Sequence, residues 1–366
     1  MRGTIVLAGG GTGGHLSPGL AVAERLHSMA ADTEVVFACS SRAIDRTMLE
    51  AAGARFHPIP AAPFRPTPPG IMRMIRENHR GTRSSSDLIK EVGAGVVLAM
   101  GGYVSVPVVR AAIRNRLPIV LLNLDALPGR ANCWVARHAS AICTAVPLSS
   151  HRSLGTPEQV GFPLRRTALA AMDQLGCRER LDLDPSLNTL LVTGASQGAS
   201  SLNALMQSIV EETPLALSGW QVIHLSGPKD EESLRAAYRK AGVPAHVTSF
   251  LGQMGLAWGA ADLALSRAGA NSVAEASANN VPTLFVPYPH DRKVHQQYNA
   301  EPLVRLGGAA IATDAVDVRL NRTSIGVPLI DLLTDPARRS AMRSVLEARP
   351  DVDGAAEIAR LLLDRC

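Results

Sequence analysis

The feature that most constrains this chain is a device that occurs twice: an apolar strand, a turn of small residues, and a helix. The first copy, Thr4 to Leu26, reads TIVLAGGGTGGHLSPGLAVAERL. Ile5 to Ala8 has strand character, Gly9 to Gly14 is a glycine-dense turn, and Leu20, Ala21, Ala23, Glu24 and Leu26 follow at helical spacing. The second copy restarts with a strand over Thr189 to Thr193, a turn over Gly194 to Gly198 and a helix over Leu202 to Val210. Glycines let backbone N–H groups approach a bound anion, and the first turn of the helix adds unpaired donors and partial positive charge. A phosphate-bearing ligand is the expected guest.

Strand-like runs at Val35 to Ala38, Val96 to Met100, Ile119 to Leu122 and Ala141 to Ala145 continue the first half. Gln221 to Leu225, His246 to Phe250, Leu263 to Leu265, Thr283 to Val286 and Ala309 to Ala312 continue the second, with helices expected at Glu231 to Ala241, Ser272 to Asn279, Pro336 to Ala348 and Ala355 to Leu363. Alternation of this kind predicts parallel sheets covered by helices on both faces. With 366 residues the chain can build two cores. The reading is therefore an α/β protein of two Rossmann-like, doubly wound parallel-sheet domains facing a cleft, spanning 1–163 and 164–348, with the linker near Phe162 and Pro163. Ligands bind beyond the carboxyl ends of such strands.

Gly9, Gly11 and Gly14 also satisfy the dinucleotide pattern, which wants an acidic residue at the end of the second strand for the ribose hydroxyls. That strand runs instead into Cys39, Ser40 and Ser41, which weakens an NAD or FAD reading. A net charge of +5 with 4% aromatic residues argues against a nucleic-acid stacking surface. The cysteines, Cys39, Cys133, Cys143, Cys177 and Cys366, lack metal-ligand spacing and suit a reducing compartment. No apolar run approaches the roughly 18 residues of a membrane span, so a cytosolic chain is expected. Asp182 and Asp184 precede Pro185 in a charged stretch and read as a solvated loop rather than a Mg²⁺ pair, so neither metal nor cofactor is expected.

Several positions can carry chemistry. His15 stands at the mouth of the first helix, where it serves as an acid/base group or simply fills the entrance. Gly101, Gly102, Tyr103 and Ser105 form a second glycine loop on the same wall. Ser196 and Gln197 hold the equivalent turn of the second half, Arg267 to Glu275 form a further helix entrance, and His295 to Asn299 concentrate polar side chains. Ile71, Met74 and Ile75, with Met72 at the edge, share one side of a helix whose other side carries Arg73, Arg76 and Arg80, with Arg83 behind. Such a stripe fits a helix packed on its own domain and equally one lying on an anionic membrane surface.

In order along the chain, Gly10-Gly-Thr-Gly-Gly-His15-x-x-Pro18, Met100-Gly-Gly-Tyr-Val-Ser105-x-Pro107, Ser196-Gln-Gly-Ala199, Ser266-Arg-Ala-Gly-Ala270 with Glu275, and His295-Gln-x-x-Asn-Ala300 together resemble the MurG family, N-acetylglucosaminyltransferases of glycosyltransferase family 28. The resemblance implies a GT-B fold. It implies UDP-GlcNAc as donor, an undecaprenyl-diphosphate-linked muramyl pentapeptide (lipid I) as acceptor, inverting transfer to the muramyl C4 hydroxyl giving lipid II, and a peripheral place on the cytoplasmic face of the membrane. It also implies that the last segment, 349–366, packs back on the first domain. Carried over by position, the donor contacts are Thr12, Gly13, Gly14, Asp125, Arg165, Ser196, Leu251, Ala270, Asn271, Ser272, Val273, Ala274, Glu275 and Gln296, with Glu275 on the ribose hydroxyls. The acceptor contacts are Gly102, Tyr103 and Ser105, and His15 is the candidate base.

The chain departs from the family where His-Glu-x-Asn is usual: here the positions read Leu122, Asn123, Leu124 and Asp125. If the family's base is that Glu, Asn123 cannot replace it and Asp125 has to act. The linker position that is usually Asn is Phe162. A related transferase with another lipid acceptor, and a UDP-sugar-binding protein without catalysis, are the alternatives.

Overall fold

The computed structural model describes residues 3–11, 14–149, 154–194, 198–290 and 295–366. Thr12, Gly13, Ser196 and Gln197 lie outside the described residues. The chain divides into two compact units, Met1–Arg165 with Val352–Cys366, and Arg166–Asp351.

The first unit runs β1 (Thr4–Ala8), α1 (Leu16–Met29), β2 (Val35–Cys39), α2 (Ala43–Ala51), β3 (Phe56–Pro58), α3 (Pro68–Glu91), β4 (Ala94–Ala99), α4 (Ser105–Arg114), β5 (Ile119–Asn123), α5 (Arg130–Val135), β6 (Ala141–Thr144) and β7 (Glu158–Gln159). Its parallel sheet has the order β3-β2-β1-β4-β5-β6-β7, with Ile5 opposite Val35 on one side and Val96 on the other. Because strand side chains alternate, Ile5 and Leu7 enter one apolar cluster and Val6 and Ala8 the opposite one. Both faces are covered, which is why β1 reads as a continuous apolar run.

The second unit runs α6 (Gln174–Arg180), β8 (Asn188–Thr193), α7 (Ser200–Glu212), β9 (Trp220–Leu225), α8 (Glu231–Ala241), β10 (Ala245–Thr248), α9 (Met254–Ala260), β11 (Leu263–Ser266), α10 (Ala270–Ala278), β12 (Thr283–Phe285), α11 (His295–Leu306), β13 (Ala309–Ile311), α12 (Val318–Asn321), α13 (Val327–Thr334) and α14 (Pro336–Glu347). Its parallel sheet, β10-β9-β8-β11-β12-β13, repeats the same crossover pattern, and Leu190 and Val192 again face away from Leu191. The strand expected to reach Phe250 stops at Thr248, leaving Phe250 exposed. The short edge strands β3 and β7 were not expected, since two or three residues show no periodicity. A π-helical turn at Arg322–Gly326 joins α12 to α13 and interrupts the helical repeat there.

After Asp351 the chain returns to the first unit as α15 (Gly354–Leu363), whose Ala355, Ile358, Ala359 and Leu362 join the cluster beneath α1. Asp353 caps it, Oδ1 accepting from Ala356 N (3.0 Å) while Oδ2 accepts from Arg25 Nε (2.6 Å). Glu357 accepts from Gly161 N (2.8 Å), and a Cβ on Gly354 would lie 1.7 Å from Gly161 O. Only glycine fits that crossing.

Candidate active site

In both sheets the strand order reverses direction between two neighbours, β1 and β4 in one unit and β8 and β11 in the other. The helices that follow these strands, α1, α4, α7 and α10, share a property. None has a side-chain cap and none carries an acidic residue in its first turn. Elsewhere α3, α6, α12, α14 and α15 are capped by Thr67, Asp173, Asp317, Asp335 and Asp353. α5, α9 and α13 also start without a side-chain cap or a first-turn acid, but α1, α4, α7 and α10 do so at the switch points, where the positive end of a helix favours an anion.

In the first unit the two glycine loops pack on each other. Gly11 (φ +101°) lies against the Tyr103 ring, where an added Cβ would sit 3.0 Å from Cε1. Gly101 (φ +103°) lies under the His15 imidazole, where a Cβ would come within 3.2 Å of Nε2. A Cβ on Gly102 would meet Gly10 O at 2.9 Å. Tyr103 and His15 thus stand together on a backbone floor that side chains would destroy. Burial lowers the His15 pKa below the ordinary 6.5, opposed by the nearby carboxylates of Asp125 and Asp45. A neutral imidazole at pH 7 can accept a proton.

Asp45 was not singled out in the sequence, where an acidic residue in the first turn of α2 resembles simple dipole compensation. Fully buried, its Oδ2 accepts from Gly11 N (2.8 Å), Ser40 N (3.1 Å) and Ser40 Oγ (2.6 Å). Arg42 donates to Gly11 O from the same turn. The segment after β2 therefore holds the first glycine loop through both polar groups of Gly11.

Ser105 does not face a ligand as expected. It is fully buried, and its hydroxyl lies 2.6 Å from Gly101 O and 3.0 Å from Ala8 O, so it fixes the second loop from below. Asn123 is also internal: Nδ2 donates to Asp125 O (2.7 Å) and Thr144 Oγ1 (3.2 Å), and Oδ1 accepts from Asn132 (2.9 Å). It cannot act as a base, and it positions the turn that presents Asp125. Arg165 pairs with Glu24 (3.1 Å), more than two turns down α1 from His15, rather than standing at the glycine loop.

In the second unit Arg267 is buried and cannot contact a ligand through its guanidinium. It donates to Ser201 Oγ (2.7 Å), Asp314 Oδ2 (2.8 Å), Val286 O and Pro287 O (both 3.2 Å), while its backbone N–H reaches Thr193 O (3.2 Å). Asp314 also accepts from Ser201 Oγ, Val316 N (2.7 Å) and Asn321 Nδ2 (2.8 Å). This network ties together the carboxyl ends of β8, β11 and β12. Sequence reading missed Asp314, which stands alone in the loop after β13.

The start of α10 places Ala270, Asn271 and Ala274 at partly exposed positions, with Ser272 buried and Val273 packed into the core, its N–H donating to Gly269 O (3.0 Å). Glu275, half-buried, accepts from Trp258 Nε1 (2.9 Å), and burial pushes its pKa up to about 7 against that hydrogen bond. Gln296 Oε1 accepts from Tyr288 N (2.9 Å), bracing the loop after β12, and Leu251 packs at the edge of the core beneath α9. Asp184 accepts from Ser186 N (2.8 Å) and Oγ (2.6 Å) in a local turn.

Comparison with known proteins gives a consistent result. Residues 5–144 match the glycosyltransferase family 28 N-terminal domain and residues 189–343 the glycosyltransferase family 28 C-terminal domain. The chain is 35% identical to the UDP-N-acetylglucosamine--N-acetylmuramyl-(pentapeptide) pyrophosphoryl-undecaprenol N-acetylglucosamine transferase of Rhodococcus erythropolis, over 99% of this chain and 94% of that one. The enzyme of the same name from Streptomyces coelicolor is 35% identical over 95% of each chain. Among solved structures, MurG of Acinetobacter baumannii superposes with a TM-score of 0.74 at 23% identity over 99% of both chains. A UDP-glucosyltransferase from Polygonum tinctorium gives 0.68 at 15% identity over 99% of this chain and 98% of that one, a likeness of fold alone.

Proposed function

Because the chain belongs to glycosyltransferase family 28, we propose that it transfers GlcNAc from UDP-GlcNAc to the C4 hydroxyl of the muramyl sugar of lipid I, giving lipid II. The observation that carries this reading is the set of uncapped helix starts at the switch points of both sheets. They offer stabilisation for a departing diphosphate without a metal ion.

The second unit holds the donor. Backbone N–H groups at Ala270 to Ser272, in the first turn of α10, meet the diphosphate, and Glu275 accepts from the ribose hydroxyls in its ionised form. Leu251 lies by the uracil and Gln296 by the sugar. The first unit holds the acceptor on the floor made by Gly102 and Tyr103. His15, neutral at pH 7, takes the proton from the attacking hydroxyl, and the charge of Asp125 stabilises the imidazolium that forms. The C4 oxygen forms its bond to the anomeric carbon as the bond to UDP breaks, which inverts the centre.

The acceptor is a lipid, and one face of the first unit suits a membrane surface. Met72 (68% exposed), Ile75 (55%) and Phe64 (51%) project with Arg73, Arg76 and Arg80 also exposed, while the buried stripe of α3 begins only at Asn78. Arg110 and Arg130 add cationic groups over Trp134 and Phe64. A helix between parallel strands starts at their carboxyl edge, so this apolar and basic patch lies at the same edge of the sheet as the glycine loops. No helix among the described residues is long and apolar enough to cross a membrane. In this reading the chain sits peripherally on the cytoplasmic face, held through the exposed apolar and basic start of α3. Incubation with UDP-GlcNAc and a lipid I analogue should release UDP in step with lipid II; release that is equal without acceptor contradicts the reading.

A further inference from the structure

Trp258 is one of the largest fully buried side chains, in a helix that cannot shift. A Cβ on Gly255 would lie 2.1 Å from Leu169 O, and one on Gly259 would lie 2.5 Å from Cys177 Sγ, so α9 is clamped on both sides of the indole. A buried indole N–H needs an acceptor. Here the acceptor is Glu275 Oε2 at 2.9 Å, on α10, whose far end is pinned by Asn279 donating to Ala168 O (2.9 Å). Oε1 of Glu275 takes no hydrogen bond from the described residues, and the side chain is only half-buried. One oxygen is anchored in the core and the other is left for a ligand.

We infer that Trp258 is a positioning residue for donor binding: its indole N–H fixes the Glu275 carboxylate in the orientation in which it accepts from a vicinal diol. This rests on the reading that Glu275 meets the ribose. A neutral carboxylic acid would offer a competing O–H, so the ionised form binds a diol better. Only burial and the indole act on the Glu275 equilibrium, with no charged side chain among the described residues contributing. Removing the indole N–H leaves burial unopposed and raises the pH at which the carboxylate forms.

The test is the affinity for UDP-GlcNAc from pH 5.5 to 9, by titration calorimetry, in the wild type and in Trp258→Phe. In the wild type the affinity should tighten as pH rises through about 7. In the variant the midpoint should move up by about 0.5–1 unit, which weakens binding at pH 7 by about two- to fivefold and leaves the limit at pH 9 within about twofold. An unchanged midpoint, or an equal loss at every pH, overturns the inference. Absence of wild-type binding at any pH would count instead against the donor-site reading. A measurement independent of ligand and of that variant's folding is the ¹⁵N–¹H signal of the Trp258 indole, assigned by elimination with Trp134→Phe and Trp220→Phe. It should titrate near pH 7 in the wild type and not in Glu275→Gln; a signal blind to pH in the wild type contradicts the coupling.

Discussion

Replacing Asp314 by Ala removes the only carboxylate among the described residues hydrogen-bonded to the buried Arg267 guanidinium, whose side chain is 8% exposed while that of Asp314 is fully buried. Ser201 Oγ, Val316 N and Asn321 Nδ2 lose the carboxylate they donate to, and Arg267 Nη2 keeps only Ser201 Oγ. Val316 is held at φ +66°, costly for a β-branched residue, and loses the bond that keeps it there. Breaking one partner of a buried pair costs about 3–5 kcal/mol. At about 2–4 °C per kcal/mol for a unit of this size, the transition should fall by about 6–20 °C. The assay is thermal and urea unfolding followed through the fluorescence of Trp220 and Trp258, both in this unit. An Arg267→Met, Asp314→Leu double variant should lose less than the sum of the single changes, because no charge is left unpaired. Burial would raise the Asp314 pKa, but hydrogen bonds from Ser201, Asn321, Val316 N and Arg267 outweigh it and hold it below the ordinary 3.8. Its stabilisation is therefore complete at neutral pH and is lost as pH falls below about 4 through the folded-state value. A loss under about 1 kcal/mol in Asp314→Ala, or strict additivity in the double variant, would refute the reasoning.

Glu275→Gln should flatten the pH dependence of UDP-GlcNAc affinity; with a group titrating at about 7, the wild type should bind about 30-fold more tightly at pH 8 than at pH 5.5. His15→Ala should lower kcat by about 10²–10⁴-fold with little change in donor affinity, seen in steady-state kinetics and calorimetry. In the wild type the acid limb of kcat should fall below the ordinary 6.5 of a histidine, since burial depresses that group. Gly354→Ala should displace α15 and destabilise the first unit by about 1–3 kcal/mol or more, with early proteolysis of the C-terminal segment, because the new Cβ meets Gly161 O. Ile71→Ser with Ile75→Ser should reduce sedimentation with anionic vesicles and leave UDP-GlcNAc binding intact.

The two strand–turn–helix devices and the order of most strands were legible because buried parallel strands read as apolar runs and glycine loops as gaps between them. What holds those loops was not legible. Asp45 and Asp314 reach the loops from segments 34 residues and 113 residues away, from Gly11 and Ser201 respectively. No local pattern distinguishes a buried acceptor from an exposed acid. Ser105 and Arg267 misled for the opposite reason: each sits in a ligand-like motif, yet folding spends its polar atoms on backbone and core partners. The amphipathic stripe at Ile71 to Arg83 left open whether it packed inward, and the structure divides it, exposing the first turns of α3 and burying one face of the helix from Asn78 onward.

UDP release measured with UDP-GlcNAc in the presence and absence of a lipid I analogue bears most directly on the function. Release dependent on the acceptor, with one GlcNAc appearing on the muramyl C4 oxygen per UDP and inversion at the anomeric centre, is the expected result. UDP-GlcNAc binding with no transfer to lipid I, in protein whose donor affinity follows the ionisation of Glu275, would contradict the assignment of the acceptor and of His15.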